Sequence, residues 1–349
     1  MPSSQRRSGA DACPGALDVH QAADGGLARV RVPGGRLASA QVRTLADAAR
    51  ELGDGVLELT SRANLQIRGL AVGAEVELGA RLAEVGLLPS LTHEKVRNIM
   101  SSPLGPPGLA AELDHELCGQ ADLAALPGRF LFAFDDGRGD VAWLGADAAA
   151  LPVDGAVAIL LGGADHGVRV RQDQVVETML TVAAMFLELR DEQWRVAELP
   201  ADRIAERLSP TSDRLPAGPP PVVGPIGPVE FADGTAGFGL GVPLGRLTSD
   251  QAAAIGDLVL TPWRGFVVPG GDPGIEGLIS DPDSPWVGVT ACTGRPGCAK
   301  SLADVRADAW PLGAPAHWSG CARRCGKPAG VMDVVATERG YLVDGRLLS

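Results

Sequence analysis

Four cysteines near the carboxyl end have the types and spacing to do redox or metal chemistry. Cys292 and Cys298 are separated by the five residues TGRPG, and Cys321 and Cys325 by the three residues ARR. Four thiolates suit a [4Fe–4S] cluster or a structural zinc. Zinc sites favour about two to four residues inside each pair, so the longer spacer favours the cluster. The shorter spacer puts Cys321 and Cys325 on one side of a helical turn. Gly294, Gly297, Gly320 and Gly326 leave backbone N–H groups able to face sulfur, and such bonds tune a cluster. Arg295, Lys300, Arg323, Arg324 and Lys327 add positive charge around an anionic centre. Cys13 and Cys118 stand alone, and an isolated cysteine is usually a small buried hydrophobe.

A second set could hold anions. Side chains alternate along a strand, so Arg29 and Arg31 share one face. In TSRANLQIRG, Arg62, Asn64, Gln66 and Arg68 point one way and Ala63, Leu65 and Ile67 point into a core. Neither polar row contains an acid. Guanidiniums on rigid strands can grip several carboxylates at once. Arg97 and Arg129 fall in loops or at strand starts.

The elements that must position these groups read as α+β. Leu27–Val32 alternates as a strand, Val32–Gly35 turns, and Ser39 is expected to cap a helix carrying Val42, Leu45, Ala46, Ala49 and Leu52 on one face. Gly53 ends it. Gly55–Gly69 reads as one long strand or two short ones, and Glu75–Val85 as a helix. Phe130–Phe134 and Ala156–Leu161 read as strands, Gln174 to about Arg195 as a long helix, and Ala201–Leu208 as a short one.

Residues 28–41, ARVRVPGGRLASAQ, then return as residues 238–251, FGLGVPLGRLTSDQ, with seven of fourteen positions identical. Thr60–Arg68 is echoed more loosely by Thr261–Val268. Both copies are expected to run on into an apolar helix. A period near 210 residues is too long for a solenoid and implies two related halves with a ligand cleft between them. The expected organisation is a loose N-terminal arm (1–23), a half-domain (24–90), an α+β domain (91–208), a Pro/Gly-rich linker (209–228), a second half-domain (229–285) and a shorter α+β domain with the cysteines (286–349).

The 349 residues, 45% hydrophobic and 21% charged, suit a folded protein of two or three domains. A net charge of -12 argues against nucleic acid or an anionic membrane as partner. No apolar run is long enough to span a bilayer and no signal-peptide core opens the chain, so a cytoplasmic location is expected. No GxGxxG fingerprint or P-loop occurs, so no nicotinamide site is expected. The five His residues (His20, His93, His115, His166 and His317) show no ligand spacing. His317, four residues before Cys321, is placed to cap the cysteine loop.

ARVRVPGG, TSRANLQIRG, VRNIMSSPLG, LPGRFLFAFDD, TACTGRPGCAKSLADVR and HWSGCARRCGKP together resemble the nitrite and sulfite reductase superfamily, across about Gly25–Gly345. The opening ACPGAL and the early end after HWSGCARRCGKP are most similar to its precorrin-3B synthase family. The resemblance implies a duplicated nitrite/sulfite reductase-like α+β fold. Two ferredoxin-like half-domains would be related by a pseudo-twofold and joined to mixed α/β cluster- and tetrapyrrole-binding domains. It implies a monooxygenase that hydroxylates precorrin-3A with O2, fed by a separate reductase or ferredoxin through a [4Fe–4S] cluster on Cys292, Cys298, Cys321 and Cys325. It also implies a mononuclear non-heme iron with ligands that the sequence does not identify. Siroheme would be the tetrapyrrole only if the chain were a short nitrite or sulfite reductase. A non-catalytic iron–sulfur carrier or tetrapyrrole-binding scaffold is the further alternative. By motif, Arg29 and Arg97 match arginines of the distal pocket, and Arg62 and Arg68 match residues around tetrapyrrole carboxylates. Arg129 falls at a pocket lysine of the reductases. Leu131 departs from the polar residue that they carry two positions on.

Overall fold

The computed structural model describes residues 13–219 and 221–347. Residues 1–12, Pro220 and residues 348–349 lie outside the described residues, and with them the start of the expected arm and Ala12 of its motif.

The first half runs β1 (His20–Ala22), β2 (Gly25–Val30), β3 (Arg36–Leu37), α1 (Ser39–Leu52), β4 (Val56–Leu59), β5 (Leu65–Leu70) and α2 (Ala74–Glu84). It continues through β6 (Ile99–Ser101), α3 (Gly108–Gly119), β7 (Phe132–Phe134), β8 (Ala148–Val153), β9 (Ala156–Leu161), β10 (Ala164–Val170), α4 (Val175–Leu189) and α5 (Asp202–Arg207). The second half runs β11 (Gly227–Glu230), β12 (Ala236–Gly241), β13 (Arg246–Thr248), α6 (Ser249–Ala253), β14 (Leu258–Leu260) and β15 (Gly265–Pro269). It ends with β16 (Val289–Ala291), α7 (Val305–Asp308), β17 (Ala316–Ser319), β18 (Met332–Thr337), β19 (Gly340–Val343) and β20 (Arg346–Leu347). Among the described residues, no helix is long and apolar enough to cross a membrane.

Among the described residues, the strands form four five-stranded sheets in two matched pairs. The first pair has the orders β1-β2-β5-β4-β13 and β11-β12-β15-β14-β3. Each half therefore lends its GRL strand to the other. Leu37 pairs with Leu258 and Arg36 with Val259, while Leu247 pairs with Leu57 and Arg246 with Glu58. The turn before each lent strand needs left-handed backbone at Gly35 (φ 74°) and Gly245 (φ 72°). A Cβ on Gly35 would stand 2.6 Å from the Leu260 carbonyl, so the glycine permits the close crossing. The second pair has the orders β10-β9-β8-β7-β6 and β16-β17-β18-β19-β20. In each of these, three parallel strands lead into antiparallel ones. The duplication thus extends beyond the stretch where sequence identity is visible.

Val42, Leu45, Ala46 and Ala49 of α1 are buried as their spacing requires, in one core with Leu240, Leu247, Leu258 and Phe266 of the other half. α4 buries Met179, Val182 and Phe186 against Phe130 and Phe132.

Several expectations need correction. Residues 13–23 are anchored: Ala16 is buried, its N–H donates to Glu94, and β1 pairs with β2. Ala38, not Ser39, is the α1 cap. The Gln41 side chain accepts from the Ala38 N–H (3.0 Å), and Ser39 N donates across the halves to Asp257 (2.8 Å). α6 is only five residues long, with Gly256 shortly after its end. α4 stops at Leu189, where Arg190 turns extended and its Nε donates to the Gln193 carbonyl. Of the two readings of Gly55–Gly69, the structure bears out the two short strands, β4 and β5.

Candidate functional site

β16 and β17 run parallel, so their ends deliver Cys292 and Cys321 side by side. Cys292 N donates to the Trp318 carbonyl (2.9 Å), and Gly320 N donates to Cys292 Sγ (3.1 Å). Cys298 N closes a turn onto the Gly294 carbonyl (2.8 Å). Burial pushes the Cys325 thiol up. Arg323 opposes this, and the Cys292, Cys321 and Cys298 thiolates reinforce it. The four thiols therefore share one electrostatic site. The N–H aimed at Cys292 Sγ is the kind of donor that supports a metal-bound thiolate.

His317, fully buried in β17, braces this loop. Its Nε2 lies 3.2 Å from the Cys325 carbonyl and its Nδ1 2.8 Å from Thr290 Oγ1. A carbonyl only accepts, so Nε2 carries the proton and Nδ1 accepts from the hydroxyl. Burial, helped by Arg264 and Lys327, lowers the His317 pKa to about 3 and keeps the ring neutral.

A cavity of about 480 Å³ opens beside this loop, between the halves. The β4–β5 turn contributes Ser61 and Arg62, and the β14–β15 turn contributes Trp263 and Arg264. Leu131, Trp143 and Arg195 line it from the first half, and Thr290, Gly326 and Lys327 from the cysteine-bearing unit. Residues 221–226, read from sequence as linker, form another wall.

The structure brings together only part of the expected cationic face. Arg62 lies in the turn before β5, because Ala63 adopts left-handed backbone (φ 52°). Its Nη1 donates to the Arg129 carbonyl (3.1 Å). Burial, with Arg195 and Arg29 nearby, lowers its pKa to about 10. Arg31 is buried, donating to the Lys95 and Gly128 carbonyls, and burial together with Arg29 lowers its pKa to about 9. Arg29, Arg31, Arg62 and Arg195 thus crowd like charges into one region, an arrangement suited to an anion.

The acid-free face is not found, because neighbouring strands supply acids. Gln66 Nε2 donates to Glu58 (3.3 Å) while its Oε1 accepts from Arg29. Arg68 pairs with Asp24 and does not line the cavity. Asn64 is structural, accepting from Val32 N (2.9 Å) and donating to Asn98 (3.1 Å). Arg97 is likewise removed from the cavity: it holds Asp114 of α3 with two 2.7 Å bonds. Arg129 is exposed and lies over the Trp194 ring, 4.8 Å from its centroid.

Sequence reasoning missed Arg195 and Arg264. Arg195 reaches the cavity because α4 ends early. Buried Asp147 then orients it (2.7 Å) while also accepting from Leu131 N. Arg264 occupies the turn position that Ala63 holds in the first half, so aligning the repeats would have exposed it. Among the described residues, no His, Cys, Asp or Glu lines the cavity. The residues there therefore do not fit a mononuclear iron. The one carboxylate cluster among the described residues, Asp135, Asp136 and Asp140, lies elsewhere.

Residues 20–85 match the family model "Nitrite/Sulfite reductase ferredoxin-like half domain". The chain is 28% identical to a precorrin-3B synthase from Sinorhizobium sp., covering 95% of this chain and 81% of that protein. It is 27% identical to a ferredoxin–nitrite reductase from Synechococcus elongatus, covering 91% and 78%. The solved structure of the Mycobacterium tuberculosis NirA protein superposes with a TM-score of 0.74 at 22% identity, covering 97% of this chain and 77% of that one. The resemblance read from the motifs, and the duplicated α+β fold it implied, are borne out at the level of the superfamily.

Proposed function

We propose that this chain, built on the nitrite and sulfite reductase fold, is a precorrin-3B synthase. It is then a cytoplasmic oxidoreductase that converts precorrin-3A to precorrin-3B with O2, hydroxylating C20 and closing a γ-lactone in aerobic cobalamin biosynthesis. One observation carries the reading: a four-thiol site adjoins a cavity walled by guanidiniums and by Leu131. Reduction of nitrite or sulfite asks for polar groups at the positions of Arg129 and Leu131. Here Arg129 lies over Trp194, outside the cavity wall, and an apolar side chain takes the other place.

Cys292, Cys298, Cys321 and Cys325 would hold a [4Fe–4S] cluster, which supplies one-electron transfer when bound. Arg62 and Arg195 would grip substrate carboxylates, with Arg29 and Arg31 behind them. Arg31 Nη1 is buried with no hydrogen-bond partner among the described residues, a donor suited to an anion. Trp143, Trp263 and Trp286 offer flat apolar walls that exclude water from a macrocycle. Rigid positioning of this kind is worth several kcal/mol of barrier. Electrons would come from a separate reductase or ferredoxin.

An absorption spectrum of the purified protein tests the reading. A broad cluster band near ~400 nm, lost with its iron and sulfide in Cys321→Ser, is expected. A tightly bound siroheme with a strong Soret band would instead make the chain a reductase.

A further inference from the structure

We propose that Arg264 is a positioning residue that couples the cavity to the cysteine loop: it holds the carbonyl next to Cys325 and offers its remaining N–H groups to a substrate carboxylate. The inference rests on reading the cavity as a tetrapyrrole site. Arg264 sits in the β14–β15 turn with left-handed backbone (φ 56°) and lines the cavity. Nη2 donates to the Gly326 carbonyl at 2.8 Å, and Gly326 follows Cys325. Nε and Nη1 have no hydrogen-bond partner among the described residues. A guanidinium presents parallel donors that match a carboxylate.

Space is kept for this side chain. A Cβ on Gly245 would come within 2.8 Å of Arg264 Cδ, and one on Gly326 within 3.0 Å of Nη2. The duplicated turn of the first half closes the same way, with Thr60 N on the Asn64 carbonyl as Thr261 N is on that of Gly265, both at 2.9 Å. That turn carries Ala63 in the matching left-handed position (φ 52°). The arginine therefore belongs only to the half whose turn meets the cysteine loop. Burial lowers its pKa to about 10, opposed by Glu58, so it remains charged at neutral pH.

A cation against this loop favours the more negative, reduced cluster. A carboxylate on the same guanidinium cancels part of that charge. Filling the cavity should thus lower the cluster's reduction potential, and do so through Arg264.

The test uses cluster-loaded full-length protein, with uroporphyrin I, a carboxylate-rich porphyrin, as probe. In the wild type, adding uroporphyrin I should lower the midpoint potential. In Arg264→Gln the potential should start lower and not respond, and Kd for the porphyrin should rise about tenfold, the loss of a charge-assisted bond. A variant with wild-type potential, response and affinity overturns the inference alone. A loaded wild type that binds no uroporphyrin I overturns both the inference and the tetrapyrrole reading. Should Arg264→Gln lose its iron, Arg264→Lys decides: a near wild-type starting potential with weakened affinity supports the coupling, and wild-type affinity and response overturn it.

Discussion

Arg68 and Asp24 form a two-pronged ion pair, Nε to Oδ2 and Nη2 to Oδ1, both at 2.8 Å. The same Nη2 reaches the Gly297 carbonyl at 3.1 Å, one residue before Cys298. This strand arginine ties the first sheet to the cysteine loop. Arg68→Ala should cost about 2–3 kcal/mol, below the value for a fully buried pair because Asp24 is partly exposed. Iron content should fall with stability, in denaturant melts and iron assays. Weakened porphyrin binding with intact iron and stability would contradict this placement.

Arg97 is a second structural arginine. Arg97→Met leaves Asp114 without its partner and should lower stability by about 3 kcal/mol. Porphyrin affinity, measured by titration on the folded fraction, should be unchanged.

Arg62 should behave in the opposite sense. Among the described residues it has no ion-pair partner, and its charge is disfavoured by burial. Arg62→Ala should therefore leave thermal stability at or above wild type while raising the porphyrin Kd about tenfold. Unaltered affinity would remove Arg62 from the substrate cradle.

The pH dependence follows from Arg31 and Arg62, whose pKa values fall to about 9 and about 10. An anion binds their charged forms. Well below pH 9 both are protonated and affinity is flat. Above it, binding must first recruit a proton, so affinity falls as pH rises through 9 to 10. Arg31→Met should delay that fall, as titration at a series of pH values would show.

The exchanged strands make a prediction about the fold. Gly35→Ala forces an L-residue into left-handed backbone against the Leu260 carbonyl. It should cost about 2 kcal/mol or more, read as a drop in the urea midpoint.

What was legible in the sequence was local. The cysteine spacings, the α1 face and the seven shared repeat positions depend on near neighbours, and the structure keeps them. The charge balance of the arginine face does not. Glu58 meets Gln66 only through the β4–β5 pairing, Asp24 lies 44 residues from Arg68 in the β1–β2 turn, and only the packing of α3 brings Asp114 to Arg97. The lent strands were hidden for the same reason. Arg195 was lost to an overlong helix, since Asp191–Gln193 carry no proline or glycine to mark its end. Arg264 was recoverable, because the repeat sets it opposite Ala63.

The most direct measurement is to bind precorrin-3A anaerobically to the reduced, cluster-loaded protein, admit O2 and weigh the tetrapyrrole. A product heavier by one oxygen atom, formed only with O2, is the expected result. Recovery of unchanged precorrin-3A from a protein that demonstrably bound it would contradict the proposed function.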